Sequence, residues 1–83
     1  IDIIAQKEDC LVFTEVKLRQ TEMYGQPYEA VTPLKRKRII ETAKYYISEN
    51  NITSLNIHFD IAEILIKQGK YFFRYIQNAF REE

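Results

Sequence analysis

With 83 residues, 46% of them hydrophobic and 29% charged, the chain has the size and composition of one small globular domain, neither disordered nor membranous. Twelve basic residues balance twelve acidic ones, so any attraction to nucleic acid must come from a local patch and not from net charge. Cys10 has no partner for an internal disulfide, and no apolar run approaches the ~20 residues that a membrane helix needs. The expectation is a cytoplasmic protein with no membrane partner.

Ile1 to Ala5 reads as a short buried strand, β-branched residues with Asp2 among them. The chain opens inside that run without a methionine, so the expectation is a single domain over residues 1–83 whose N-terminal helix lies outside it. Gln6 to Asp9 is a polar turn, and Cys10 to Lys17 is a second strand, which makes the pair a hairpin. Residues 18–32, with Gly25 and Pro27, read as a long loop of the kind that often carries function. Thr32 as N-cap and Pro33 at the first helical position open a helix. Ile39, Ile40, Ala43, Tyr46 and Ile47 form its core-facing stripe, and Glu49-Asn50-Asn51 ends it. Leu55 to Ile66 is a long strand, Lys67 to Lys70 a turn, and Tyr71 to Ile76 a last strand whose aromatics alternate one face in, one face out. The fold class is therefore α/β, a mixed central sheet flanked by helix.

Chemistry is suggested by charges placed inside apolar strands. Glu15 and Lys17 interrupt the run from Leu11 to Leu18, and residues two apart on a strand share a face. If the hairpin pairs the strand of Asp2 with theirs, two carboxylates and one ammonium meet at one end of the sheet. Phosphodiester hydrolysis uses such a set: carboxylates for a hard divalent ion, and a lysine to position a water and offset charge on phosphorus. The same spacing also describes a structural ion pair at a sheet end, and an E-x-K tripeptide alone does not choose between them.

A longer pattern does discriminate. Ile1-Asp2-Ile3-Ile4-Ala5 followed by Leu11-Val12-Phe13-Thr14-Glu15-Val16-Lys17-Leu18-Arg19 resembles the core motif of the YraN family, roughly G-E-I-D-L-I-A, a turn, then L-V-F-V-E-V-K-x-R. Gly25 with Glu29-Ala30-Val31, Lys35 to Ile39, Ala43 with Tyr46, His58-Phe59-Asp60 and Asn78-Ala79-Phe80 follow in the family's order. The resemblance implies a restriction-endonuclease-like core of the PD-(D/E)xK superfamily, related to archaeal Holliday-junction resolvases. It implies a magnesium- or manganese-dependent DNA endonuclease with Asp2, Glu15 and Lys17 catalytic, and the kinship with resolvases implies branched or structured DNA as substrate. Asp2, Glu15 and the main-chain carbonyl of Val16 would hold the metal. The family's glutamate just before the position of Ile1, and an acid on a helix before that, lie outside the chain; His58 stands where the family has arginine.

The run Lys35-Arg36-Lys37-Arg38 opposes the helix dipole, which points to an anion such as DNA phosphate, or else to a solvated helix end. Lys35, Lys37 and Arg38, with Arg19 beyond the E-x-K strand, are the nucleic-acid-binding candidates. His58 is expected to be a satisfied strand residue and Asp60 to bond a neighbouring amide, while Tyr24 and Tyr28 are loop residues for which nothing in the sequence supports a substrate contact. Two rivals stand beside the enzyme: a nucleic-acid-binding module without activity, and a structural or interaction domain. Nucleases that cut duplexes with one site per chain often pair, which leaves a homodimer open.

Overall fold

The computed structural model describes residues 1–20 and 31–82. In chain order it contains β1 (Ile3–Lys7), β2 (Cys10–Gln20), α1 (Pro33–Glu49), β3 (Asn56–Lys67) and β4 (Lys70–Phe80). The four strands form one mixed sheet in the order β1-β2-β3-β4, with β1 and β2 antiparallel, β2 and β3 parallel, and β3 and β4 antiparallel. The α/β class and the strand, strand, helix, strand, strand order agree with the sequence reading. Among the described residues no helix is long and apolar enough to cross a membrane.

Local chemistry sets the element ends. Thr32 has an extended backbone and its hydroxyl accepts the Lys35 amide at 3.2 Å, with Pro33 filling the first helical position. At the other end the Asn50 side chain donates to the Tyr46 carbonyl at 2.9 Å, and Asn51 takes a left-handed φ of 52°. The β3–β4 turn has Gln68 at φ 50° and Gly69 at φ 73°, the two positive angles of a tight hairpin, and a side chain at Gly69 would carry backbone strain.

The core lies between α1 and one face of β2 and β3. Leu11 and Phe13 from β2, Phe59 and Ile61 from β3, Ile39 and Ala43 from α1, and Val31 just before α1 are all buried. Phe13 pairs with Phe59 and Phe59 with Phe80 in register, giving a row of stacked rings across three strands at centroid spacings of 5.7 and 5.2 Å. Tyr46 meets Phe13 edge-on at 5.9 Å, and the Arg36 guanidinium lies 5.8 Å over Phe80. The predicted helix stripe is thus the packed face, with Ile40, Tyr46 and Ile47 half-buried around Ile39 and Ala43.

Four expectations need correction. β1 is not buried: all five residues are exposed, because it is an edge strand and no described element covers it. β2 continues to Gln20, so residues 18–20 belong to the sheet and not to a loop, while Tyr24, Tyr28 and the rest of 21–30 lie outside the described residues. Tyr71, Phe72, Phe73 and Tyr75 alternate in direction, yet all are exposed, because neither face is covered at that corner. Finally, β4 runs past Ile76 to Phe80 through an irregularity in its pairing with β3 between Phe59 and Ile61. There Asn78 has φ 51°, and its amide donates to the Asp60 carboxylate at 2.9 Å. The other Asp60 oxygen accepts from the Tyr75 hydroxyl at 2.6 Å, and that hydroxyl lies 3.3 Å from Thr14. Asp60 therefore bonds an amide as expected, and half-buried His58 meets the Asn78 side chain.

Truncating the central ring should test this packing. Phe13→Ala is expected to cost about 3–5 kcal/mol in denaturant unfolding, while Leu18→Ala, on an exposed β2 position, stays within about 0.5 kcal/mol of the parent. Equal effects would refute the assignment of the core.

Candidate functional site

Glu15 follows Phe13 by two residues on β2, so the pleat that buries Phe13 under the helix turns Glu15 to the same side. α1 runs back along β2: its end meets Phe13 through Tyr46, and its first turn meets Glu15 through Lys35. The buried Glu15 carboxylate is surrounded by cations. Oε2 lies 3.3 Å from Lys35 Nζ and 3.6 Å from Lys17 Nζ, and Oε1 lies 3.1 Å from the α-nitrogen of Ile1. Oε1 is fully enclosed and accepts no well-aimed hydrogen bond from the described residues. An open groove beside it is lined by Ile1, Thr32, Leu34, Lys35, Arg38 and Thr42.

Asp2 comes to the same strand by a different route. It precedes β1 and is exposed, contrary to the expectation of a buried acid. Its amide donates to the Thr14 carbonyl at 3.0 Å, and its carboxylate accepts the Val16 amide at 2.8 Å. These two anchors straddle Glu15, so Asp2 is held beside it, and the charge of Asp2 is felt by Lys35. The predicted trio is thus brought together along β2. Among the described residues no three Asp, Glu, His or Cys side chains form a group that could hold a metal ion by themselves.

The electrostatics distinguish the two lysines. Burial would raise the Glu15 pKa, but the contacts with the Ile1 amino group and Lys35 outweigh it, and the carboxyl sits below its ordinary value. The Lys35 ammonium first, and burial second, pull Lys17 below the usual lysine range against the opposing pull of Glu15. Lys35, largely in solvent, is held up by its contact with Lys17 and then by Glu15. Of two ammonium groups sharing one carboxylate, Lys17 is the readier to release a proton.

The other candidates separate. Lys35, expected to meet phosphate from the helix start, is part of the Glu15 cluster, and Arg38, one turn on, lines the same groove. Arg36 turns inward to Phe80 and donates to the Val31 carbonyl at 3.0 Å, while Lys37 lines a different groove with Lys44, Phe80 and Arg81. Four adjacent basic residues are therefore not one patch, because successive helical residues point about 100° apart. Arg19 is directed to Glu63, 3.9 Å from its Oε1, together with Arg74 at 3.4 Å. Sequence reasoning missed Glu63 and Arg74; a buried-acid signal was present at Glu63, which interrupts an apolar strand.

Residues 1–64 match the model of a family described as "Uncharacterised protein family UPF0102". The chain belongs to the UPF0102 family. This is the YraN-like family that the strand motifs resemble. A UPF0102 protein of Clostridium acetobutylicum is 40% identical over 83 residues, covering 98% of this chain and 68% of the relative. A UPF0102 protein of Clostridioides difficile is 44% identical over 80 residues, 96% of this chain and 68% of its own. One from Alkaliphilus metalliredigens is 41% identical over 80 residues, at 96% and 69%. The chain thus spans about two thirds of the length of these UPF0102 relatives.

Two measurements check the charge arrangement of this UPF0102 chain. A carboxyl whose pKa is lowered by folding stabilises the fold above its ordinary pKa, and that contribution is lost as pH falls through the folded value. Glu15→Gln should therefore be about 1–3 kcal/mol less stable than the parent at neutral pH, with the gap closing on acidification; a gap independent of pH would refute it. In Lys35→Met the Lys17 amine, freed of the neighbour that depresses it, should titrate at higher pH by NMR, and an unchanged or lower value would overturn the coupling.

Proposed function

We propose that this UPF0102 chain carries the centre of a metal-dependent DNA endonuclease site on a restriction-endonuclease-like core of the PD-(D/E)xK kind. One observation carries the reading: Lys17, with a lowered pKa, contacts a buried glutamate beside which Asp2 is tied by the Val16 amide. Asp2 and Glu15, with the main-chain carbonyl of Val16, would hold a magnesium or manganese ion. Two carboxylates and a carbonyl suit a hard cation that keeps several water ligands. Such an ion supplies polarisation of the phosphate and a bound water of lowered pKa.

The chain's own groups do the rest. Lys17 Nζ, in contact with Glu15, would orient the attacking water and help to draw off its proton. Lys35 and Arg38 face the groove beside Glu15 and offset the charge that develops on the phosphate oxygens. Kinship with junction resolvases makes branched DNA the first substrate to try, as an analogy of family and not of geometry. A second reading, a module that binds nucleic acid without cutting it, is favoured by the Lys17 and Lys35 ammonium groups, which already offset the charge of Glu15.

Cleavage of branched and linear duplexes by the full-length protein decides between them. Magnesium or manganese is expected to be required, and Glu15→Ala and Lys17→Ala should each lower the rate by at least about a hundredfold with DNA binding retained. Binding without cutting, indifferent to both substitutions, would refute the nuclease.

A further inference from the structure

The row Glu15, Lys17, Arg19 on β2 leads into a second charged cluster that the cleavage chemistry leaves unused. Its centre is Glu63, opposite Lys17 in the parallel register and opposite Arg74 on β4. The Glu63 side chain is 2% exposed, and its Oε1 takes the contacts from Arg74 at 3.4 Å and Arg19 at 3.9 Å. Its Oε2 is enclosed, with no hydrogen-bond partner among the described residues.

An enclosed carboxylate costs several kcal/mol of lost hydration, and contacts with two partly exposed arginines recover only part of that. For stability alone an apolar side chain would serve better, as at Ile61 and Leu65, its neighbours on the same face. What the acid provides is a fixed point from which two guanidinium groups reach outward. Arg74 is 49% exposed and Arg19 27%, so neither side chain is enclosed by its contact with Glu63. A guanidinium has five such donors in a plane suited to gripping an oxyanion with two at once. The helix leaves room for this: α1 spans about 25 Å and β3 about 40 Å, and the first turn of α1 already lies over Glu15. Arg19 stands four residues beyond Glu15 on β2, roughly 13 Å along the strand, a span of a few phosphates on one DNA strand.

We propose that Arg19 and Arg74, held by Glu63 as a positioning residue, clamp a backbone phosphate of duplex DNA beside the Glu15–Lys17 cluster. The choice of DNA rests on the proposed function; the clamp concerns binding and not cleavage.

Fluorescence anisotropy of the full-length protein on a short labelled duplex, with metal chelated and salt varied, tests it. Arg74→Ala should weaken binding about tenfold and reduce the slope of log affinity against log salt by about 0.9. Arg74→Lys should keep the slope and lose part of the affinity. Glu63→Gln should weaken binding even though it removes a negative charge, because the arginines lose their anchor. A carboxylate that merely offset their charge would give tighter binding on removal. Arg74→Ala strips buried Glu63 of its nearer cation, so thermal melts run alongside establish that each variant is folded at the assay temperature and reports binding. Parental affinity and slope in both Arg19→Ala and Arg74→Ala, or tighter binding by Glu63→Gln, overturns the clamp. DNA binding with these effects but no cleavage under magnesium refutes the nuclease and leaves the clamp standing. Cleavage with unaltered binding in the variants refutes the clamp alone, and absence of DNA binding refutes both.

Discussion

The parallel pairing of β2 with β3 is the constraint on which the molecule turns. A pleated strand sends every second residue to one face, so the placement of Phe13 against Phe59 under the helix determines where their successors go. Glu15 and Lys17 must follow Phe13 on that face, as Ile61 and Glu63 must follow Phe59. Hydrophobic burial at one end of the row thereby holds charge at the other, and the aromatic stack acts as the footing of the polar cluster. A one-residue slip between these strands would exchange all of these positions with those of the opposite face.

The charges then arrange themselves by what the helix covers. Near the core, Glu15 is shielded from water and collects cations from β2 and from α1. Further along, Glu63 is just as enclosed, but its cations come from the two strands that flank β3. Each acid is a buried negative charge whose neighbours lean over it toward solvent, so the surface of this face is basic while its interior is acidic. A chain with no net charge can present a cationic face to a polyanion in this way.

What was legible in the sequence followed from short-range rules. The hairpin, the Thr32-Pro33 start and the Asn50-Asn51 end depend on residues within a few positions of one another, and all three stand. The stripe of Ile39, Ala43 and Tyr46 was equally plain, since helical period alone defines it. Glu15, Lys17 and Lys35 drew attention as residue types, but the shared carboxylate could not be read, because Lys35 reaches Glu15 only through the return of α1 along β2. Arg74 gave no signal at all, its partner being set by the β3–β4 register. The dispersal of Lys35 to Arg38 follows from helical geometry, which turns successive residues to different sides, and not from their shared charge. β1 looked buried by its β-branched residues, whereas exposure depends on what lies above an edge strand.

The irregularity beside Asp60 has a consequence for how this sheet tolerates change in length. From Ile61 to Phe59 the chain of β3 advances two residues, while β4 advances four, from Ile76 to Phe80. The surplus is even. Phe80 therefore returns to the same side of the sheet as Ile76 and completes the aromatic row, which an odd surplus would have turned outward. Parity, more than residue identity, is what this corner must conserve: a pair of residues gained or lost there keeps the sidedness of everything downstream, and a single one inverts it.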